Sequence, residues 1–187
     1  MKKRIIVISG PSGVGKSTIC KEIIKRFDNV YLSISTTTRE KKNGEQDGID
    51  YYFVSRDEFE RQIKAGNFLE YAEVFGNLYG TSKDKLEQAV NEGKIVLLEI
   101  DVQGAQQVKK LYPEAELVFV IPPKQTELQS RINGRGRDDQ KEIEKRLAGA
   151  GIEIAAGWQH YGHMVINDNL AQAVEEFVQI IKKANGE

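Results

Sequence analysis

The run Gly10-Pro11-Ser12-Gly13-Val14-Gly15-Lys16-Ser17 fits the pattern G-x-x-x-x-G-K-[ST], residue types and spacing that cradle a phosphate chain. Glycines let the backbone curl until successive N–H groups point at one anion. Lys16 brings a mobile positive charge to the outer phosphates, and the Ser17 hydroxyl is suited to Mg²⁺. Context supports the pattern. An apolar run, Ile5 to Ile8, precedes it as a buried strand, and Thr18 to Phe27 follows as a helix. The positive end of that helix dipole then stands behind the loop. Gly10, Pro11, Ser12, Gly13, Val14, Gly15, Lys16, Ser17 and Thr18 are therefore candidate ligands of a nucleoside triphosphate.

Two other groups of residues could serve phosphate chemistry. Arg131, Arg135, Arg137 and Arg146 crowd one segment broken by Gly134 and Gly136. Phosphoryl transfer spreads negative charge over the moving group, and arginines delivered on a closing lid would stabilise it while excluding water. Glu99 and Asp101 end the apolar run Ile95 to Ile100, and carboxyl ends of buried strands are where α/β sheets bind ligands. They could hold waters around Mg²⁺ or receive a substrate group. Asp101 could equally cap the helix that Val102 begins.

The elements that must position these residues alternate as in an α/β fold with a parallel sheet. Nearly continuous apolar runs predict strands at Ile5–Ser9, Tyr31–Ser35, Ile95–Ile100, Leu117–Ile121 and Met164–Ile166. Helices are predicted at Lys16–Phe27, Lys83–Glu92, Val102–Leu111 and Gln125–Ile132. In a last helix Leu170, Val174, Phe177, Val178 and Ile181 share one face. Residues 36–81 break the alternation. A polar loop leads to a short strand at Tyr51–Val54, a helix entered through the capping box Ser55-x-x-Glu58, and a strand at Phe68–Phe75. This reads as a small α+β insertion. Trp158, four residues after Ile154, is expected in the core, and His160 and His163 have no partners at metal-ligand spacing.

Composition narrows the classes. The 187 residues, 40% hydrophobic and 29% charged, suit one soluble domain, and a net charge of −1 offers no chain-wide basic field for nucleic acid. The single Cys20 excludes an internal disulfide and a multi-cysteine metal site, and its place in a helix makes it a small buried hydrophobe. No apolar run approaches the ~20 residues of a membrane span, and Ile5 to Ile8 is too short for a signal segment. The cytoplasm is the expected compartment.

Taken in order, six motifs resemble the guanylate kinase family over nearly the whole chain. They are Gly10–Ser17, Ser35-Thr36-Thr37-Thr38-Arg39, Gly48-Ile49-Asp50-Tyr51-Tyr52-Phe53-Val54, Tyr79-Gly80-Thr81, Glu99-Ile100-Asp101-Val102-Gln103-Gly104 and Arg131…Arg135…Arg146. The resemblance implies an α/β P-loop NTPase fold of three layers with a central parallel sheet, formed by 1–34, 83–124 and 148–187. It also implies a GMP-binding insertion, 35–82, and a helical lid, 125–147. The implied reaction is ATP + GMP → ADP + GDP with Mg²⁺, and dGMP as a second acceptor; the enzyme would be a monomer or homodimer. Lys16, Arg131, Arg135 and Arg146 become catalytic candidates, and Asn169 becomes a candidate near adenine, although the stretch 167–169 could merely cap the final helix. Ser17, Glu99 and Asp101 become candidates for the metal's surroundings.

For GMP, the resemblance assigns Glu70 to the N1–H and amino donors of guanine, with Ser35, Thr81 and Asp101 along the base edge. Adenine would oppose a lone pair to Glu70 there, and buried mismatches of this kind reject an analogue by ~10⁴-fold or more. From pattern alone Glu70 reads as a solvent-facing strand residue alternating with Leu69 and Tyr71. Arg39, Lys42, Tyr51 and Tyr79 are assigned to the GMP phosphate, though half-buried tyrosines also suit a small sheet. Two positions depart from the family pattern. Lys42 stands where arginine is usual, which implies a looser grip on phosphate, because lysine lacks the planar fork. Glu99 stands where aspartate is usual. A non-catalytic, phosphopeptide-binding relative of the family would lack a working P-loop and lid arginines, which this chain has. A switch GTPase would need an Asn-Lys-x-Asp stretch, which it lacks.

Overall fold

The computed structural model describes residues 5–133 and 140–185. Its centre is a five-stranded parallel sheet in the order β2-β7-β1-β8-β9. The strands are β1 (Ile5–Ser9), β2 (Val30–Ser33), β7 (Ile95–Glu99), β8 (Glu116–Ile121) and β9 (His163–Ile166). All five predicted core strands are present, with ends shifted by one or two residues. Strand β1 is buried at every position because both faces are covered. Its side chains alternate accordingly. Ile6 and Ile8 join a core with Ile19 and Ile23 of α1 (Lys16–Arg26) and Val174 and Phe177 of α7 (Leu170–Asn185). Ile5 and Val7 join a second core with Leu86 of α3 (Lys83–Asn91) and Ala105 and Val108 of α4 (Val102–Leu111). The result is three layers, helix on sheet on helix. Cys20 is fully buried in the first core.

A second sheet, in the order β4-β3-β6-β5, holds residues of the interrupted stretch. It contains β3 (Thr36–Thr37), β4 (Tyr52–Phe53), β5 (Phe68–Val74) and β6 (Asn77–Ser82), with α2 (Arg56–Lys64) after β4. The capping box appears as read: the Ser55 side chain accepts the Glu58 N–H. Strands β3 and β6 were not expected. Strand β5 turns into β6 through Phe75 and Gly76, both at positive φ (50° and 80°), as a two-residue hairpin turn needs. The exposed edge of β5 is closed by a core helix. Gln107 on α4 accepts the Tyr71 N–H at 3.3 Å and donates to the Tyr71 carbonyl at 2.8 Å, and Gln103 donates to the Glu73 carbonyl at 3.4 Å. Two glutamines thus act as a substitute neighbouring strand and pin the small sheet to the large one.

Helix α5 (Gln125–Asn133) lies before the undescribed segment and α6 (Gln140–His160) after it. Gly157 lets α6 press on the sheet, since a Cβ there would stand 2.6 Å from the Phe119 ring. Trp158 corrects an expectation. It is 65% exposed, because the neighbouring Gly157 is the residue that faces β8 and Trp158 is rotated a helical step away.

Candidate active site

The parallel strands all point the same way, so Gly10 after β1, Asp101 after β7 and Asn167 after β9 gather at one edge of the sheet. The glycine loop is shaped by its neighbours there. A Cβ on Gly10 would sit 2.3 Å from the Val120 carbonyl oxygen, so only glycine lets the chain pass β8 this closely. Gly13 and Gly15 have φ of 88° and 106°, which turn the backbone into the start of α1. Gly15 caps that helix without any side-chain hydrogen bond, and the first turn holds no acidic residue. The positive end of α1 is therefore free of a carboxylate cap. Lys16 donates from Nζ to the carbonyls of Gly10 (2.6 Å) and Pro11 (3.2 Å), which folds its ammonium back across the loop.

Two residues brace the loop from the sheet side. The Asn167 amide, buried at 6% exposure, donates to the Val14 carbonyl at 2.8 Å. Arg131 donates to the Asn167 carbonyl at 2.9 Å and the Val14 carbonyl at 3.4 Å, and pairs with Glu127 at 3.3 Å. Asn169 has a different partner: its side-chain oxygen accepts the Gln172 N–H at the start of α7. Arg135 lies outside the described residues, and so does the side chain of Arg146, whose backbone belongs to α6.

Next to the loop, Ser17 donates its hydroxyl to Glu99 Oε1 at 2.7 Å. The longer glutamate at the end of β7 reaches this hydroxyl directly. Its charge extends further, since burial, then the charges of Glu99 and Tyr79, push the Tyr51 phenol well above its ordinary range. On the other side Glu153 of α6 is half-buried. Burial raises its carboxyl, the Lys16 ammonium opposes that rise, and Asp101 adds to it.

The small sheet contributes a second polar cluster. Glu70 is not solvent-facing: it is 3% exposed and accepts the Thr81 hydroxyl at 2.6 Å. A register shift between Phe68 and Glu70 accompanies this inward aim, as a bulge does. Burial pushes the Glu70 carboxyl up to about 7; the Thr81 bond opposes the rise and the Asp101 charge adds to it. Asp101 caps α4 by accepting the Gly104 N–H at 3.0 Å, and its other oxygen accepts Gln103 Nε2 at 3.2 Å. Gly104 makes room for this meeting, because a Cβ there would lie 2.3 Å from Glu70 Oε2. Ser35 is half-buried where β2 passes toward β3, and its carbonyl accepts the Tyr52 N–H at 2.9 Å.

Arg39, Tyr51 and Tyr79 meet as well. The Arg39 guanidinium stands 5.3 Å from the Tyr51 ring centre, and the Tyr51 and Tyr79 rings contact edge to face at 6.0 Å. Arg39 donates to the Glu40 carbonyl at 2.7 Å and to Glu45 Oε1 at 2.8 Å, while Glu45 Oε2 accepts the Lys42 N–H at 2.8 Å. Sequence reasoning thus brought together the glycine loop, Glu99 and Asp101, Glu70 with Thr81, and Arg39 with the tyrosines. It missed Glu45, Gln107, Glu153 and the roles of Gly104 and Asn167. Gly104 and Asn167 had a visible signal, a glycine beside a helix cap and an asparagine after a buried strand.

The arrangement joins an anion-binding loop, a hydroxyl–carboxylate pair suited to a hard cation, a buried acidic acceptor and an arginine flanked by phenols. Comparison with known proteins agrees with it. The guanylate kinase family profile matches residues 2–184. Guanylate kinase from Carboxydothermus hydrogenoformans is 48% identical over 181 residues, covering 96% of this chain and 88% of that protein. The enzyme of the same name from Enterococcus faecalis is 50% identical over 178 residues, covering 95% and 87%. The crystal structure of guanylate kinase from Anaplasma phagocytophilum superposes with a TM-score of 0.80 at 34% identity, over 96% of this chain and 84% of that one.

Proposed function

The chain belongs to the guanylate kinase family, and from that premise we propose that it transfers the γ-phosphoryl group of ATP to GMP, and to dGMP, yielding ADP and GDP or dGDP. The observation that carries the choice of acceptor is the buried Glu70 carboxylate, held by Thr81 and facing Asp101. Guanine offers N1–H and its amino group on one edge, and an ionised carboxylate accepts both. Ser35, Thr81 and Asp101 supply the remaining polar partners of the base.

At the donor end, the backbone N–H groups from Ser12 to Thr18 wrap the triphosphate, with Gly10 and Pro11 leading into the loop, and Lys16 leaves its carbonyl partners for the outer phosphates. Mg²⁺ fits beside them. The Ser17 hydroxyl and Glu99 carboxylate are hard oxygen donors, with Asp101 at the end of the same segment. A divalent cation of this kind would travel with the phosphates and keep several of its waters. When bound, the ion neutralises phosphate charge. Arg39, Lys42, Tyr51 and Tyr79 grip the GMP phosphate. Arg131 steadies the loop, and Arg135 and Arg146 serve as lid cations over the transferring group. Asn169 approaches the adenine side while capping α7. Residues 35–82 act as the acceptor-binding unit, 125–147 as the lid, and the remainder as the core. The nucleotide substrates point to the cytoplasm as the place of action; among the described residues no helix is long and apolar enough to cross a membrane.

The test is turnover with Mg-ATP and each of GMP, AMP, UMP and CMP, followed as ADP release. GMP alone is expected to be used efficiently. Equal use of AMP would refute the reading of Glu70, and no turnover of GMP would refute the function.

A further inference from the structure

The Arg39–Glu45 pair is largely enclosed by its surroundings. The two side chains are 15% and 14% exposed, and Nη2 meets Oε1 at 2.8 Å. The other pairs join surface side chains, where such contacts contribute little. Both oxygens of Glu45 are committed. Oε2 accepts the Lys42 N–H at 2.8 Å, and the Glu45 N–H donates to the Lys42 carbonyl at 3.1 Å. The carboxylate is therefore knitted into a turn of its own loop and fixed before any ligand arrives.

Arg39 is held at further points. Its backbone N–H donates to Thr37 Oγ1 at 3.1 Å, Nη1 donates to the Glu40 carbonyl at 2.7 Å, and its guanidinium stands over the Tyr51 and Phe53 rings at 5.3 and 5.8 Å. A guanidinium has five N–H donors, and the two contacts use only part of them. What remains is a planar fork with its orientation already set. An unheld arginine would lose rotamer freedom on meeting a phosphate; this one has lost it on folding.

We propose that Glu45 is a positioning residue for acceptor binding: it orients the Arg39 fork and fixes Lys42 at the turn, so that both cations face the GMP phosphate. The proposal rests on the reading of Arg39 as a phosphate ligand. The opposite role is that Glu45 is a stand-in anion that GMP must displace. That role fits the geometry poorly, since displacement would also break the bond from Oε2 to the Lys42 backbone.

The two roles predict opposite signs. Binding of GMP and of guanosine, which lacks the phosphate, is measured by calorimetry for the full chain and for Glu45→Gln, Arg39→Gln and the double variant. Glu45→Gln keeps shape but removes the charge that holds the guanidinium. GMP is expected to bind roughly tenfold more weakly to it, with guanosine unchanged within twofold. The KM for GMP rises while that for ATP holds. Arg39→Gln is expected to lose more, roughly a hundredfold, and the double variant less than the two single losses combined, because Glu45 acts largely through Arg39 and otherwise through Lys42. Tighter GMP binding by Glu45→Gln, unchanged binding, additive losses in the double variant, or equal losses for GMP and guanosine would each overturn the positioning role. Should Arg39→Gln itself leave the GMP-to-guanosine ratio untouched, the fault lies in the reading of Arg39 as a phosphate ligand, and the proposal falls with it.

Discussion

Replacing Glu70 by glutamine is expected to make the protein more stable and nearly useless toward GMP. The carboxyl is pushed from an ordinary 4.5 up to about 7, chiefly by burial, against the Thr81 hydrogen bond and with help from Asp101. The folded protein then holds this proton more tightly than the unfolded chain. Between pH 4.5 and 7 the folded state binds more protons, so stability falls as pH rises through that window and levels off above it. At about 1.36 kcal/mol per pKa unit, the carboxyl costs the fold roughly 3 kcal/mol at pH 8 and under about 1 kcal/mol at pH 5. Glutamine keeps the shape and an oxygen for the Thr81 hydroxyl but carries no charge. Its Tm should exceed that of the parent by roughly 6–12 °C at pH 8, using about 2–4 °C per kcal/mol for a chain of this size, and by no more than about 3 °C near pH 5. Function moves the other way. The glutamine NH₂ would face guanine's donors, so two charge-assisted hydrogen bonds are lost at ~1.5–3 kcal/mol each, and kcat/KM for GMP drops ~10²–10⁴-fold. In the parent enzyme kcat/KM for GMP should fall with acid below about pH 7, and the variant should lack that limb. The assays are thermal unfolding across pH 5–8 and initial rates over the same range. Parallel Tm curves for the two proteins, or undiminished GMP turnover by the variant, would refute the reasoning.

Gly104→Ala would drive a methyl to 2.3 Å from Glu70 Oε2, so the carboxylate must move; KM for GMP should rise at least tenfold in steady-state kinetics, with ATP affinity unchanged. Asn167→Ala leaves the Val14 carbonyl with only the 3.4 Å contact from Arg131, and should cost ~0.5–1.5 kcal/mol in denaturant unfolding and weaken ATP binding more than GMP binding. Lys42→Arg restores a planar fork beside the GMP phosphate and should lower KM for GMP by a few-fold, whereas an unchanged KM would show that the extra donors find no oxygen.

What could be read in advance follows from how local each signal is. Strand β1, the glycine loop and helix α1 are consecutive, and each is specified by its own residues: a doubly buried apolar run, glycines at positive φ, an apolar helix face. Strand β6 was not legible because Asn77–Ser82 has little apolar content, and it forms only by pairing with β3 and β5 on either side. Phe75-Gly76 lacks the asparagine or aspartate that usually announces such a turn. Alternation misled at Glu70, since the register shift and the Thr81 hydroxyl set its direction and neither shows in the local pattern. Trp158 was misplaced for a related reason. Its helix meets the sheet through a glycine, and an apolar pattern cannot mark a contact made by a missing side chain. Glu45 was hidden because an acidic residue in a polar loop has the same appearance whether it faces solvent or holds an arginine.

In the proposed reading, base recognition is built across an interface between two sheets rather than within either one. Glu70 and Thr81 belong to the small sheet, while Asp101 and Gly104 belong to the start of α4 on the large one. Their proximity depends on Gln103 and Gln107 of the same helix, which hold β5 by its backbone edge instead of by its side chains. A backbone clamp of this kind fixes the distance between the sheets without regard to which residues line β5. The side chains of β5 are thereby left free to serve the ligand. The same clamp holds Glu70 near enough to Asp101 that the Asp101 charge adds to the burial that raises the Glu70 carboxyl. On that reading, a donor-bearing base placed between them would offset the cost of ionising Glu70, so part of that cost would be recovered as affinity for guanine. Weakening the clamp would relax the repulsion without supplying the base, and the site would lose selectivity before it lost stability.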